Sequence, residues 1–285
     1  VREIATIVCL WLLFGGTAQA APDLQRRLDA DAAAGRPLVA HVVVALADNE
    51  HQGIVPVPAG IGNGQRPDTN LYWGAGYGVR YFFGHKAGWA ELAAAGPRPD
   101  GVLDRVVFRR VIRRRGRDAT VYLVADAYDG ARIRDAITDM LEYTAGRHSA
   151  VVTVRGHAGD VQINAGGAAS LIAYVGHDGL MDFEVQEPEP AAPGTPPRAA
   201  MILACQSRAF FSRILARSGA EPLLLTYGLM APEAYTLDAA LQHWFRGDSP
   251  EEVRSVAAVT YDHYQHCGPS GARRLFGVGA HKPPQ

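Results

Sequence analysis

The chain has 285 residues, 48% hydrophobic and 20% charged, with a net charge of −1. A sizeable core is expected and disorder is not. The near-neutral balance argues against nucleic acid as the main partner, since such binding usually needs a basic face. The one basic run (Arg109, Arg110, Arg113, Arg114, Arg115 and Arg117) reads as a solvated edge strand and turn.

Residues 1–20 read as an address. Arg2 gives a positive start, residues 7–14 form an apolar run too short to span a bilayer, and Ala18-Gln19-Ala20 is the small-x-small pattern that a signal peptidase cuts after. The expected mature chain, residues 21–285, is one α/β domain exported to the periplasm or the extracellular space. No later apolar segment is long enough to cross a membrane. The mature chain keeps only Cys205 and Cys267, too few for a disulfide scaffold; a bond between the two stays open as an alternative to a working thiol.

Residues 38–46 are a near-continuous apolar run, as expected for a strand buried on both faces. A Gly- and Pro-rich loop comes next over residues 49–70, then an expected helix over 70–83. Residues 106–112 alternate and suggest an edge strand or hairpin arm, and 119–125 form a second buried strand. Asp129 can cap the next helix, whose apolar face carries Ile133, Ile137, Met140 and Leu141, and Gly146 ends it. Residues 151–154 and 161–163 look like a small hairpin.

Two further apolar strands carry the chemistry. Residues 171–175 run into Gly176-His177-Asp178-Gly179, and residues 200–204 run into Cys205-Gln206-Ser207. The Pro-rich acidic stretch between them, 187–197, reads as an exposed loop. A helix is expected over 208–217, a strand over 223–227, and then two helices, the second opened by the capping box Ser249-Pro250-Glu251-Glu252. Strands alternating with helices imply a mostly parallel sheet with helices on both faces, and ligands of such sheets bind beyond the carboxyl ends of the strands. His177, Cys205, Tyr227 and Asn49 should share that rim.

A thiolate attacks carbonyl carbon well, and an imidazole close to a thiol raises the thiolate fraction and can protonate a leaving amine. Taken alone, a Cys at a strand end is more often a small core residue, and a His beside Gly is more often a loop residue. On adjacent strands, with a helix after the Cys, Cys205 and His177 read as a catalytic pair. Asn49 is the expected third member, orienting the imidazole. Gly179, Asp178, Gln206 and Tyr227 are the expected oxyanion or substrate-binding residues, with the Cys205 N–H a further donor and Gly179 leaving room for a substrate carbonyl.

Ala204-Cys205-Gln206 and Gly176-His177-Asp178-Gly179, each after an apolar strand, resemble the nucleophile and histidine segments of caspase-like cysteine peptidases, the group that includes legumains, gingipains and separases. Residues 223–227, 231–234 and 245–253 are similar to the strand, loop and helices C-terminal to the nucleophile in several of these families. The resemblance implies a three-layer caspase-hemoglobinase-like sandwich, a His–Cys dyad cleaving peptide bonds through an acyl-enzyme, a peptide or protein substrate, and no cofactor. By analogy with legumains, it also implies that an Asn after the first strand supports the His. Two departures stand out. Asp178 occupies the place of the Gly that usually comes directly after the His, and the His-to-Cys spacing is shorter than the about 50 residues of caspases.

Two other classes stay open: a non-catalytic caspase-fold binding protein of the cell envelope, and an amidotransferase-like Cys enzyme using His243, His263 or His266. Asp48, Glu50 and His51 are clustered, but an exposed polar turn explains them better than a metal site, and no HxxxH or CxxC spacing exists.

Overall fold

A computed structural model describes residues 20–155 and 159–279. The expected leader, residues 1–20, lies outside them except for its last residue, where the first helix begins. In chain order the elements are α1 (Ala20–Ala33), β1 (Leu38–Ala45), α2 (Val79–His85), β2 (Ala90–Leu92), β3 (Ala94–Ala95), β4 (Val102–Arg114), β5 (Arg117–Tyr128) and α3 (Ile133–Thr144). Then come β6 (Ser149–Val154), β7 (Val161–Gly166), β8 (Leu171–Val175), β9 (Ala199–Leu203), α4 (Ser207–Ser218), β10 (Glu221–Thr226), α5 (Ala234–Arg246), α6 (Pro250–Gln265), α7 (Pro269–Leu275) and β11 (Phe276–Gly277).

Eight strands form the central sheet in the order β11-β10-β9-β8-β1-β5-β4-β2. The five inner strands β10, β9, β8, β1 and β5 are mutually parallel, whereas β11, β4 and β2 add antiparallel edges. Every residue of β1, β8 and β9 is buried, because helices cover both faces. One face packs on α1, α2, α5 and α6 through Leu24, Phe83, Leu241 and Val253; the other packs on α3 and α4 through Ile137, Met140, Phe211 and Leu215. The expected mostly parallel sheet in a three-layer α/β sandwich is thus present. Among the described residues, no helix is long and apolar enough to cross a membrane.

Two local expectations change, and one is borne out in a longer element. The helix expected over 70–83 is only the seven-residue α2, preceded by turns. A Cβ on Gly74 would run into the Asp68 carbonyl and one on Gly78 into the Trp73 backbone, so these glycines fold the chain too tightly for a helix. Asn70 fixes that turn to the end of β1: its Oδ1 accepts from Ala47 and Tyr72 N–H, and its Nδ2 donates to the Ala47 and Asn63 carbonyls. The arm at 106–112 is part of a long β4–β5 hairpin. The basic run is not uniformly solvated either. Arg114 is buried, donating to the Phe245 and Gln25 carbonyls and pairing with Asp29.

A three-stranded sheet, β3-β6-β7, stands beside the main one. The link is a buried polar chain. Gly166 N–H donates to His41 Nδ1 (2.8 Å), His41 Nε2 lies 3.0 Å from Asp126 Oδ2, and Arg105 grips Asp126 with two bonds. Burial alone would raise Asp126, but the bonds from Arg105 and His41 hold it below the ordinary carboxylate range.

Candidate active site

The rim is set by strand register. Val175 ends β8 and Leu203 ends β9, and the two are partners in the parallel ladder. His177 and Cys205 each come two residues later. Adjacent strands are about 4.8 Å apart, so the two residues leave the sheet from adjoining ends. A bond from Gly176 N–H to the Leu203 carbonyl (3.3 Å) carries the ladder one residue toward them.

Cys205 sits on a strand-to-helix elbow. Gln206 turns the chain in the left-handed region, with φ 49°, and α4 begins at Ser207. The elbow is locked from beneath. Ser207 Oγ donates to the Ile202 carbonyl (2.8 Å), Ser207 N–H donates to Thr226 Oγ1 (3.1 Å), and Thr226 N–H donates to Ser207 Oγ (3.0 Å). Thr226 Oγ1 in turn donates to the Ala204 carbonyl. All these groups are buried, so the position of Cys205 is fixed by β9 and β10 together. The half-buried Cys205 Sγ accepts from Met230 N–H at 3.4 Å and lies 3.6 Å from the Met230 carbonyl.

His177 is held by a tight turn. Asp178 Oδ1 accepts from Leu180 N–H (3.0 Å), the chain makes a 3₁₀ turn over Gly179–Met181, and Asp182 returns beneath the imidazole. His177 Nε2 lies 2.6 Å from Asp182 Oδ2. The His177 carbonyl accepts from both Tyr174 OH (2.8 Å) and Gly179 N–H (3.1 Å). A carboxylate facing Nε2 favours the tautomer protonated there and leaves Nδ1 as the basic nitrogen.

The other expected residues are placed differently. Asn49 is engaged in its own loop: its Nδ2 donates to the Val57 carbonyl (2.8 Å) and its Oδ1 accepts from Val57 N–H (3.0 Å). The side chain on the imidazole is Asp182. Gly179 leaves no space for a carbonyl, because the Phe183 ring occupies the place of its missing Cβ. Its N–H, and that of Gln206, bonded to the Gly228 carbonyl, are both committed. Asp178 is fully buried with Oδ2 unpartnered, and burial, aided by the charge of Asp182, pushes it up to about 7. The Tyr227 ring packs on Gly277, with the Arg208 guanidinium 5.1 Å above it.

Sequence reasoning passed over Asp182, Met230 and Tyr72. Burial raises the Tyr72 hydroxyl well above its usual range, and the nearby Cys205 and Glu233 add to the shift. The turn-forming Gly179 was the available signal for Asp182, since a tight turn brings a residue a few places on back toward His177. The cluster at 48–51 is a loop anchor. Asp48 accepts from the N–H groups of Glu50 and His51, from Gln65 Nε2, and pairs with His51 Nδ1 at 2.9 Å. Among the described residues no group of three or more His, Cys, Asp or Glu side chains is placed to hold a metal ion. A cavity of 420 Å³ opens elsewhere, between α2, α5 and α6, lined by Lys86, Arg110, Asp238 and His243 among others.

Fold and rim together describe an α/β sandwich with a Cys and a carboxylate-bonded His at the ends of neighbouring parallel strands. Comparison with known protein families, with curated proteins and with solved structures finds no match to this chain.

Proposed function

We propose that the protein is a caspase-like cysteine peptidase, exported to the periplasm or the cell exterior, that cleaves peptide bonds with Cys205 and His177. The observation that carries this reading is the register pairing of Val175 with Leu203, which brings the two residues to adjoining strand ends. The bond between His177 and Asp182 supports it, since a reacting imidazole needs a fixed tautomer and orientation. In the proposed reaction His177 accepts the thiol proton as Sγ bonds to the substrate carbonyl carbon. The C–N bond then breaks and the proton passes to the leaving amine. Water hydrolyses the thioester, with its proton returning to Sγ through His177. The Cys205 N–H serves as an oxyanion donor.

A peptidyl electrophile tests this. It should label Cys205 and not Cys267, and His177→Ala should abolish the labelling. Labelling of Cys267 alone, or none before unfolding, would overturn the reading. A non-catalytic role is favoured by one observation, the Met230 backbone that engages Sγ on both its N–H and its carbonyl. Under that reading Cys205 resists alkylation until the chain unfolds.

A further inference from the structure

Singly exposed apolar side chains are common on protein surfaces, but those at the border of a site are where a bound ligand finds apolar contact. The two most exposed large hydrophobic residues among those described are Val55, at 88%, and Leu229, at 71%. Both border the Cys–His rim. Leu229 immediately precedes Met230, whose N–H is 3.4 Å from Cys205 Sγ. Val55 lies on the loop that meets the His177 turn: a Cβ built at Gly53 would be 3.8 Å from Asp182 Oδ2, the atom bonded to His177. Met181, 40% exposed, adjoins Asp182 on the same turn.

These residues are held outward by built contacts. The Asn49 amide grips Val57 through both its N–H and its carbonyl, fixing the stretch on which Val55 stands. Gln52 anchors the start of the loop, donating to the Leu46 and Gly130 carbonyls at 2.7 and 2.8 Å. On the other side, Gly228 accepts from Gln206 N–H and Ala231 N–H donates to Tyr261 OH (3.0 Å), so Leu229 lies between two tethered residues.

The geometry points to an extended peptide carrying a large apolar side chain on each side of the cleaved bond, one against Leu229 and the other against Val55 and Met181. This rests on the peptidase reading and names its substrate class. Leu229 adjoins Met230, which bonds Cys205 Sγ, and Val55 stands two residues from Gly53, which lies against Asp182.

The test uses two quenched fluorogenic peptides identical except at the residues flanking the cleaved bond, Leu–Phe in one and Asp–Lys in the other. The full chain should cleave the Leu–Phe peptide at least about tenfold faster in kcat/KM. Val55→Asp and Leu229→Asp should each lower that rate several-fold and shrink the ratio. Val111→Asp, at an exposed position near the amino ends of the parallel strands, should leave it unchanged. Equal rates, or a preference for Asp–Lys, would overturn the inference. If neither peptide is cut, fluorescence anisotropy of the same peptides labelled without quencher, on the Cys205→Ala protein, separates the two ideas. Tighter binding of Leu–Phe, lost in the double variant with Leu229→Asp, keeps the docking surface while the peptidase reading falls; equal binding of both removes the inference itself.

Discussion

His177 Nε2 and Asp182 Oδ2 are 2.6 Å apart, and the bond closes a turn of only a few residues. Asp182 is half exposed, so water can replace part of what its carboxylate supplies. Asp182→Asn should therefore lower kcat by about tenfold to a hundredfold, well short of the about 10⁴ lost with a buried triad aspartate. KM should be nearly unchanged and the pH–rate profile altered on its acidic limb. An unaltered profile with a lowered melting temperature would make the bond purely structural.

Asn49 gives the complementary expectation. Its amide bonds to Val57 and not to the imidazole. Asn49→Ala should loosen the loop and raise KM by roughly three- to tenfold while kcat changes little, the pattern of lost uniform binding. Steady-state kinetics on an apolar peptide decide it; a fall in kcat at constant KM would return Asn49 to the imidazole.

The elbow beneath Cys205 depends on Thr226. Thr226→Val keeps the shape but leaves Ser207 N–H and the Ala204 carbonyl without their partner. Urea unfolding should show a loss of about 1–3 kcal/mol, the cost of stranding buried polar groups. A change below about 0.5 kcal/mol would mean that the network relaxes onto other partners.

Two acids, the buried Asp178 and the half-buried Glu221, should make the fold less stable at alkaline pH. Asp178 and Glu221 each have a carboxyl oxygen without a partner, and burial pushes each up to about 7. In the unfolded chain they ionise near pH 4. The stability tied to their protonated forms is full below about pH 4 and is lost as pH rises to about 7. Asp178→Asn should accordingly raise stability at pH 8 by on the order of 1–3 kcal/mol and leave it unchanged at pH 4. Melting curves at the two pH values measure this.

Asp126 works in the opposite sense. Its pKa is lowered in the folded state, so its contribution is present above the unfolded value near 4 and is lost as pH falls through the folded one. Asp126→Ala leaves Arg105 and His41 buried without their acceptor and should cost about 3–5 kcal/mol in denaturant unfolding. A smaller loss would show that Arg105 and His41 find water.

The inner sheet was legible because a strand covered on both faces is almost entirely apolar: β8 and β9 carry no charged residue, β1 departs only at His41, and β5 from Val121 onward departs only at Asp126. The rim was legible for the same reason, since the ends of such runs mark the carboxyl edge. The capping box at Ser249 was also readable, and both of its bonds are present. What sequence order hides is how a loop closes. Residues 70–78 have helical apolar spacing, yet close backbone packing at Gly74 and Gly78 sets the turns. Asn49 and Asp182 are both polar residues near the rim, and only three-dimensional closure distinguishes the one that grips its own loop from the one that reaches His177.

The β4 edge has a consequence for self-association. β2 pairs only with Val107, Phe108 and Arg109, so much of β4 beyond it is left as a border of the sheet. There Val111 is exposed between Arg109 and Arg113, both also exposed and, by the two-residue repeat of a strand, on the same side. A second copy approaching this border to extend the sheet would bring its own arginines against these. The like charges act as a gatekeeper, and dilute salt should keep folded molecules apart more effectively than concentrated salt, which screens that repulsion.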